Sequence, residues 1–150
     1  MKDEFQQYLR DIGLPTQLDS RIDEILVLYA KQLGGDAEDI LVSEYIAGGG
    51  TREYEALWLF SKKHVGEARN FMGLYNVDIT PIEGCIKTVR LIKKAYDFEE
   101  ATASSRLTIE FSTYFREFSQ LKASGKNCDY LRDIVAKYLR PNMRQMASVG

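Results

Sequence analysis

A chain of 150 residues, 45% of them hydrophobic, is long enough for one domain with a substantial core and short for two. Its formal net charge of -2 excludes the bulk basic footprint of a nucleic-acid binder, so no nucleic-acid partner is expected. Its two cysteines, Cys85 and Cys128, are too few for a disulfide framework and lack a zinc-site spacing, which points to a reducing, cytoplasmic setting.

The charge is uneven. The first forty residues hold nine acidic and four basic side chains, and the remainder is mildly basic. The sequence Met1-Lys2-Asp3-Glu4-Phe5 has no apolar run of a secretory signal, and no window approaches a membrane span. A single domain over 1–150 is expected, with a helical extension over 1–36, a strand-rich body with a closing helix over 38–140, and a tail over 141–150.

Phe5, Tyr8, Leu9 and Ile12 fall at helical spacing, and Gly13 with Pro15 stops that helix. Thr16 is placed to cap a second helix with Leu18, Ile22, Ile25, Leu26, Tyr29 and Leu33 on one face, ended by Gly34-Gly35. From Ile40 the period becomes two. Ile40, Val42 and Ile46 oppose Leu41, Ser43 and Tyr45, and Tyr54 to Phe60 alternates again after the Gly48-Gly49-Gly50 tip, so a hairpin is expected. Ser61-Lys62-Lys63 turns into a third strand over 64–71, where Gly66 and Ala68 leave room for something packed above them. A loop around Asn76 and Pro81 leads to one long strand over Ile82 to Ile92, and Ala101 to Ser105 reads as a polar loop. Leu107, Ile109 and Phe111 alternate most cleanly, Ser112-Thr113-Tyr114 forms a turn, and Phe115 to Ala123 is a further strand. Ser124 or Asn127 then caps a last helix with Tyr130, Leu131, Ile134, Val135, Tyr138 and Leu139 in its stripe, until Pro141 ends it.

The close of this meander, Phe118-Ser119-Gln120-Leu121-Lys122-Ala123-Ser124 followed by the helix from Gly125 to Val135, resembles the end of a pleckstrin-homology-like domain. The resemblance covers about residues 38 to 140 and rests on element order. It implies an α+β fold: N-terminal helices, a bent antiparallel sheet or partly open barrel of about six to seven strands, and a C-terminal helix capping one end. Phosphoinositide-binding members grip phosphates with cations of the first hairpin. Here that hairpin offers Arg52 beside Glu44, Glu53 and Glu55, which repel an anion. A rival is a helix-first cone-shaped sheet similar to the nuclear-transport-factor-like fold, against which the strong last helix argues.

No stretch carries a specific catalytic, metal or nucleotide signature. His64 is the only histidine, next to Lys63, and reads as a turn or strand residue in the absence of a nucleophile or orienting carboxylate at a recognised spacing. Cys128 opens the last helix beside Lys126, where a thiol pKa falls, yet a free cysteine there also serves as a small packing residue. Gly48-Gly49-Gly50-Thr51-Arg52 lacks the phosphate-loop spacing and leads into a strand. Lys87, Arg90, Lys93 and Lys94 form the candidate ligand or anion-binding set, with Asp97, Glu99 and Glu100 close behind to cancel its field.

The leading expectation is a non-enzymatic protein-binding or interaction module without cofactor or metal, self-associating or recognising a peptide at an exposed sheet edge beside the last helix. One alternative is a small-molecule or enzymatic pocket inside the curved sheet, lined by Tyr45, Trp58, Phe60 and Phe71. The other is an anionic membrane headgroup at Lys87, Arg90, Lys93 and Lys94. The helix from Leu18 to Leu33 has more apolar circumference than one contact needs, which fits a second subunit on its outer side.

Overall fold

In the computed structural model, which describes residues 1–46, 52–92 and 106–143, helix α1 (Asp3–Asp11) buries Phe5, Tyr8 and Leu9 along one face. Asp3 and Glu4 sit at its positive end, and Gly13, in a left-handed conformation, releases the chain from it. Thr16 does not cap the second helix. It opens a short 3-10 turn over Thr16–Leu18 without a side-chain capping bond, because Leu18 N–H already bonds Pro15 O at 3.1 Å. Helix α2 (Asp19–Leu33) follows, burying Ile22, Ile25 and Tyr29, and ends at the left-handed Gly34.

Among the described residues seven strands form two antiparallel sheets, which makes the fold α+β. The first sheet has the order β1-β2-β3-β4: β1 (Asp39–Ile46), β2 (Arg52–Phe60), β3 (His64–Arg69) and β4 (Val77–Pro81). The second has the order β5-β6-β7: β5 (Ile86–Ile92), β6 (Arg106–Thr113) and β7 (Ser119–Ser124). They are not closed into a barrel, and the expected single bent sheet is two sheets. Where β1 meets β7 the bonds come from side chains instead of a backbone ladder: Lys122 N–H donates to Ser43 Oγ at 3.0 Å and Ser124 hydroxyl donates to Glu44 at 2.8 Å, while Lys122 Nζ reaches Glu55 of β2 at 2.9 Å.

Two further expectations change. The strand expected over Ile82 to Ile92 begins only at Ile86, because the turn at residues 82–85 closes with Cys85 N–H on Ile82 O at 2.9 Å and Gly84 left-handed, and the loop expected around Asn76 and Pro81 instead holds β4, which Pro81 ends. The strand expected from Phe115 begins at Ser119, because residues 114–118 form a turn.

Register assigns the two faces of the first sheet. Leu57 and Leu59 pair with Ala68 and Gly66, and this face lies under α2. Trp58 and Phe60 pair with Glu67 and Val65 on the opposite face, where Trp58 meets Phe111 of β6 edge-on at 5.7 Å and Phe60 stacks on Tyr138 at 5.3 Å. Gly66 and Ala68 do leave room: the Tyr29 ring fills it, its hydroxyl bonding Ser61 Oγ at 2.6 Å in the β2–β3 turn. A methyl at Gly66 would lie 2.8 Å from two ring carbons of Tyr29, itself fully buried. Gly66→Ala is therefore expected to destabilise the fold by about 1–3 kcal/mol in urea denaturation. An unchanged midpoint would refute this packing.

The last helix, α3 (Asn127–Ile134), continues through a wide turn at Val135–Leu139 and a 3-10 turn at Arg140–Asn142 containing Pro141. Its stripe of Leu131, Ile134, Val135, Tyr138 and Leu139 is buried as read from the sequence. Asn127 is not a cap. Its amide donates to Val42 O and accepts from the Tyr8 hydroxyl, both at 2.8 Å, so it ties α1, β1 and α3 together. The Tyr138 hydroxyl donates to Asp39 at 2.5 Å, and burial together with that carboxylate pushes its pKa far above the ordinary tyrosine value. It stays a donor at any working pH and fixes the helix over the start of β1.

Candidate functional site

The structure places the sequence-derived candidates apart. Trp58, Phe60 and Phe71 are fully buried, whereas Tyr45 is 47% exposed, so these four do not line a common pocket. Trp58 and Phe60 fill the space between the sheets and α3. Lys87 and Arg90 lie on β5 and face carboxylates, Lys87 Nζ being 3.8 Å from Glu117 and Arg90 3.7 Å from Glu110. Lys93 and Lys94 lie outside the described residues, as do Gly48 to Thr51, the loop over 101–105 and the tail from residue 144. His64 opens β3, where its carbonyl accepts from Ser61 N–H at 2.9 Å and from the Tyr29 hydroxyl at 3.3 Å, a structural role for its backbone. Cys128 is buried at the start of α3, and Cys85 is half-buried with its thiol on Glu83 O at 3.2 Å. Among the described residues no group of three or more His, Cys, Asp or Glu side chains could hold a metal ion, and no helix is long and apolar enough to cross a membrane.

What the fold does bring together is an open strand edge and a rigid aromatic turn. Strand β5 pairs with β6 on one side. On the other, among the described residues, it carries only a parallel bridge between Ile86 and Met143, next to the 3-10 turn that follows α3. Among the described residues no strand pairs with its backbone groups beyond Ile86, which a further strand could use. The other outer edge, β4, is shorter, ends in Pro81 and exposes Asp78, features that block strand addition. Strand β5 contains no proline.

Its side chains are also incompletely covered. Val89 and Leu91 pair with Phe111 and Ile109, both buried, and therefore face the interior of the second sheet. Leu91 is nonetheless 56% exposed, so the apolar inner face runs out to solvent at β5. On the other face the row Arg90, Glu110 and Gln120 spans the three strands, Gln120 donating to Glu110 at 3.1 Å, as a solvated polar surface does.

Comparison of the chain with protein-family models, with curated proteins and with solved structures gives no match. The surface is accordingly read from its own chemistry.

The turn at residues 114–118 abuts the start of β5, since Thr113 pairs with Ile86 and Tyr114 N–H donates to Cys85 O at 3.2 Å. Buried hydroxyls hold it from within. Thr113 Oγ1 accepts from Phe115 N–H at 3.0 Å and Arg116 N–H at 2.9 Å, and Ser112 Oγ accepts from Phe118 N–H at 3.1 Å. Arg116 reaches back to the buried Glu67 and lies 5.6 Å from the Trp58 ring centre. The outward side chains are Tyr114, Phe115 at 66% exposure and Phe118 at 62%, the last on a left-handed backbone that a phenylalanine rarely adopts. Lys87 Nζ stands 5.6 Å from the Tyr114 ring centre, which joins the turn to β5.

The sequence pattern places Tyr114 in a turn and Phe115 and Phe118 in the following strand. The available signal was their spacing, because Phe115 and Phe118 are three apart and cannot share one face of a period-two strand. Two grooves lie elsewhere. One of 590 Å³ runs beside α2 past Phe5, Leu26 and Ala30, and one of 530 Å³ between α1, β1 and α3 is walled by Asp3, Glu4, Asp39 and Asp133. Neither gathers the candidate residues.

Proposed function

We propose that this chain is a non-enzymatic interaction module of pleckstrin-homology-like architecture, acting in the cytoplasm, that binds an extended peptide along β5. Support for the architecture is the succession of four antiparallel strands, three antiparallel strands and a closing helix whose Tyr138 stacks on Phe60. Support for a reducing compartment is the cysteine content, two residues in 150, too few for a disulfide framework. The observation that carries the binding mode is the side of β5 beyond Ile86, which pairs with no strand among the described residues and where Leu91 is 56% exposed.

In this reading the added strand gains main-chain hydrogen bonds from β5, and alternate apolar side chains extend the row of Val89 and Leu91. Phe115 and Phe118 supply rigid apolar area at one end, whose ordering cost has already been met by the Thr113 and Ser112 bonds.

The test is selection of extended peptides from a display library, followed by amide chemical-shift mapping on the labelled protein. Shifts confined to Lys87–Ile92 and residues 114–118, with affinity reduced about tenfold or more by Leu91→Asp, are the expected result. Peptides that bind and shift only amides of the first sheet or of α2 would sink the assignment.

A further inference from the structure

The outer side of α2 is a separate surface. The face buried against the first sheet contains Ile22, Ile25 and Tyr29, and nearly opposite to it run Glu24, Val27, Leu28 and Lys31, at the i, i+3, i+4 and i+7 positions that share one side of a helix. Val27 is 51% exposed and Leu28 40%, two β-branched or γ-branched apolar side chains side by side in solvent. Glu24 and Lys31 are exposed, and neither makes an ion pair among the described residues. The groups around them are few. Asp23 is held by the Met1 amine at 3.1 Å, Arg21 bonds the carbonyls of Phe71 and Gly73, and the Tyr75 hydroxyl stands beside Glu24.

The order of these four residues is its own complement when reversed. A point midway between Val27 and Leu28 lies as far from Glu24 as from Lys31, about 5 Å along the axis in each direction at a helical rise of 1.5 Å per residue. Two copies of α2 laid antiparallel about a two-fold axis through that point put Val27 and Leu28 against each other. The same operation sets Glu24 of each copy level with Lys31 of the other, so one apolar contact is flanked by two opposite-charge pairs.

We infer that the outer face of α2 is a homodimer interface, formed by antiparallel pairing of α2 with a second copy of this chain about an axis between Val27 and Leu28. The interface is small: one pair of four-turn helices covers less than the roughly 1,200–2,000 Å² of a standard stable complex, so a weak, concentration-dependent dimer is expected. The pairing leaves β5, on the other sheet, free in both copies. This dimer stands independently of the peptide reading.

Charge reversal of the two exposed residues tests it, read by sedimentation velocity from about 1 to 300 μM at low salt, where exposed pairs act most strongly. Glu24→Lys alone, or Lys31→Glu alone, places like charges opposite each other twice in the dimer and is expected to weaken association about tenfold. An equimolar mixture of the two single variants should associate as well as the unaltered chain, since each Lys then faces a Glu, and the double variant Glu24→Lys with Lys31→Glu should do the same. Circular dichroism of all variants is expected to match. A chain that stays monomeric over the whole range overturns the inference. So does a dimer indifferent to both single reversals, or a mixture no better associated than either single variant.

Discussion

Asn127→Leu is expected to lower the unfolding free energy by about 3 kcal/mol. Asn127 is almost fully buried at the first turn of α3, and its two bonds are both non-local: Nδ2–H to Val42 O, and Oδ1 from the Tyr8 hydroxyl. The same Tyr8 oxygen accepts from Val42 N–H at 2.8 Å. Strand β1 uses its other edge on β2, so these side chains take the place that a neighbouring strand would hold for Val42. Leucine fills the volume and leaves the Val42 carbonyl without its donor, which costs the desolvation of a buried peptide group in addition to the bond. Tyr8→Phe removes the acceptor of Val42 N–H and the donor to Asn127, and is expected to cost about 2 kcal/mol. Because the two changes break one shared network, the double variant should lose at least about 1 kcal/mol less than the sum of the single losses. Urea titration of the four proteins measures the cycle, and strict additivity would mean that the three groups are independent.

That triangle also marks where reading the sequence stops. Helix α2 is legible because Ile22, Ile25 and Tyr29 recur at one face and Gly34 supplies the left-handed stop. The β1–β2 hairpin is legible from alternation alone, as is β6. Asn127 looks like a helix cap because asparagine before an apolar stripe satisfies that local rule. It is diverted because a buried strand edge 85 residues earlier in the chain has a stronger need of its amide. The late start of β5 within the Ile82 to Ile92 run turns on Gly84, whose left-handed backbone turns the chain between Ile82 and Ile86. The candidate site was only partly visible. An exposed edge beside the last helix follows from a meander that ends in a helix, but which strand is left unpaired is decided by β1 meeting β7 through Ser43 and Glu44, contacts no local pattern encodes. The cationic set was visible as composition, and the carboxylates that Lys87 and Arg90 face come from a neighbouring turn and strand.

Arg116→Ala is expected to cost about 3 kcal/mol and to loosen the aromatic turn at the same time. Glu67 lies on the inner face of β3, its side chain 3% exposed, and two cations approach it: Arg116 in direct contact and Arg69 at 3.4 Å. Arg69 is 65% exposed, so solvent screens much of its field, and Arg69→Ala is expected to cost about 0.5 kcal/mol or less. Removing Arg116 leaves a carboxylate in a largely apolar gap beside Trp58 and Phe111, the situation in which breaking one half of a buried pair costs more than the pair contributes. The reverse experiment separates the two effects. Glu67→Leu with Arg116→Met removes both charges and keeps the volume, and it is expected to return stability to within about 1 kcal/mol of the starting protein. Trp58 is the only tryptophan, and the Arg116 guanidinium lies against its ring, so the intrinsic emission reports this site directly. The emission should shift in Arg116→Ala and in the double variant alike, whereas urea stability should fall only in the first. A double variant less stable than Arg116→Ala would show that Glu67 and Arg116 stabilise the gap between the sheets beyond satisfying each other. If both are as stable as the starting protein, Arg116 is a surface residue whose contact with Glu67 holds nothing in place.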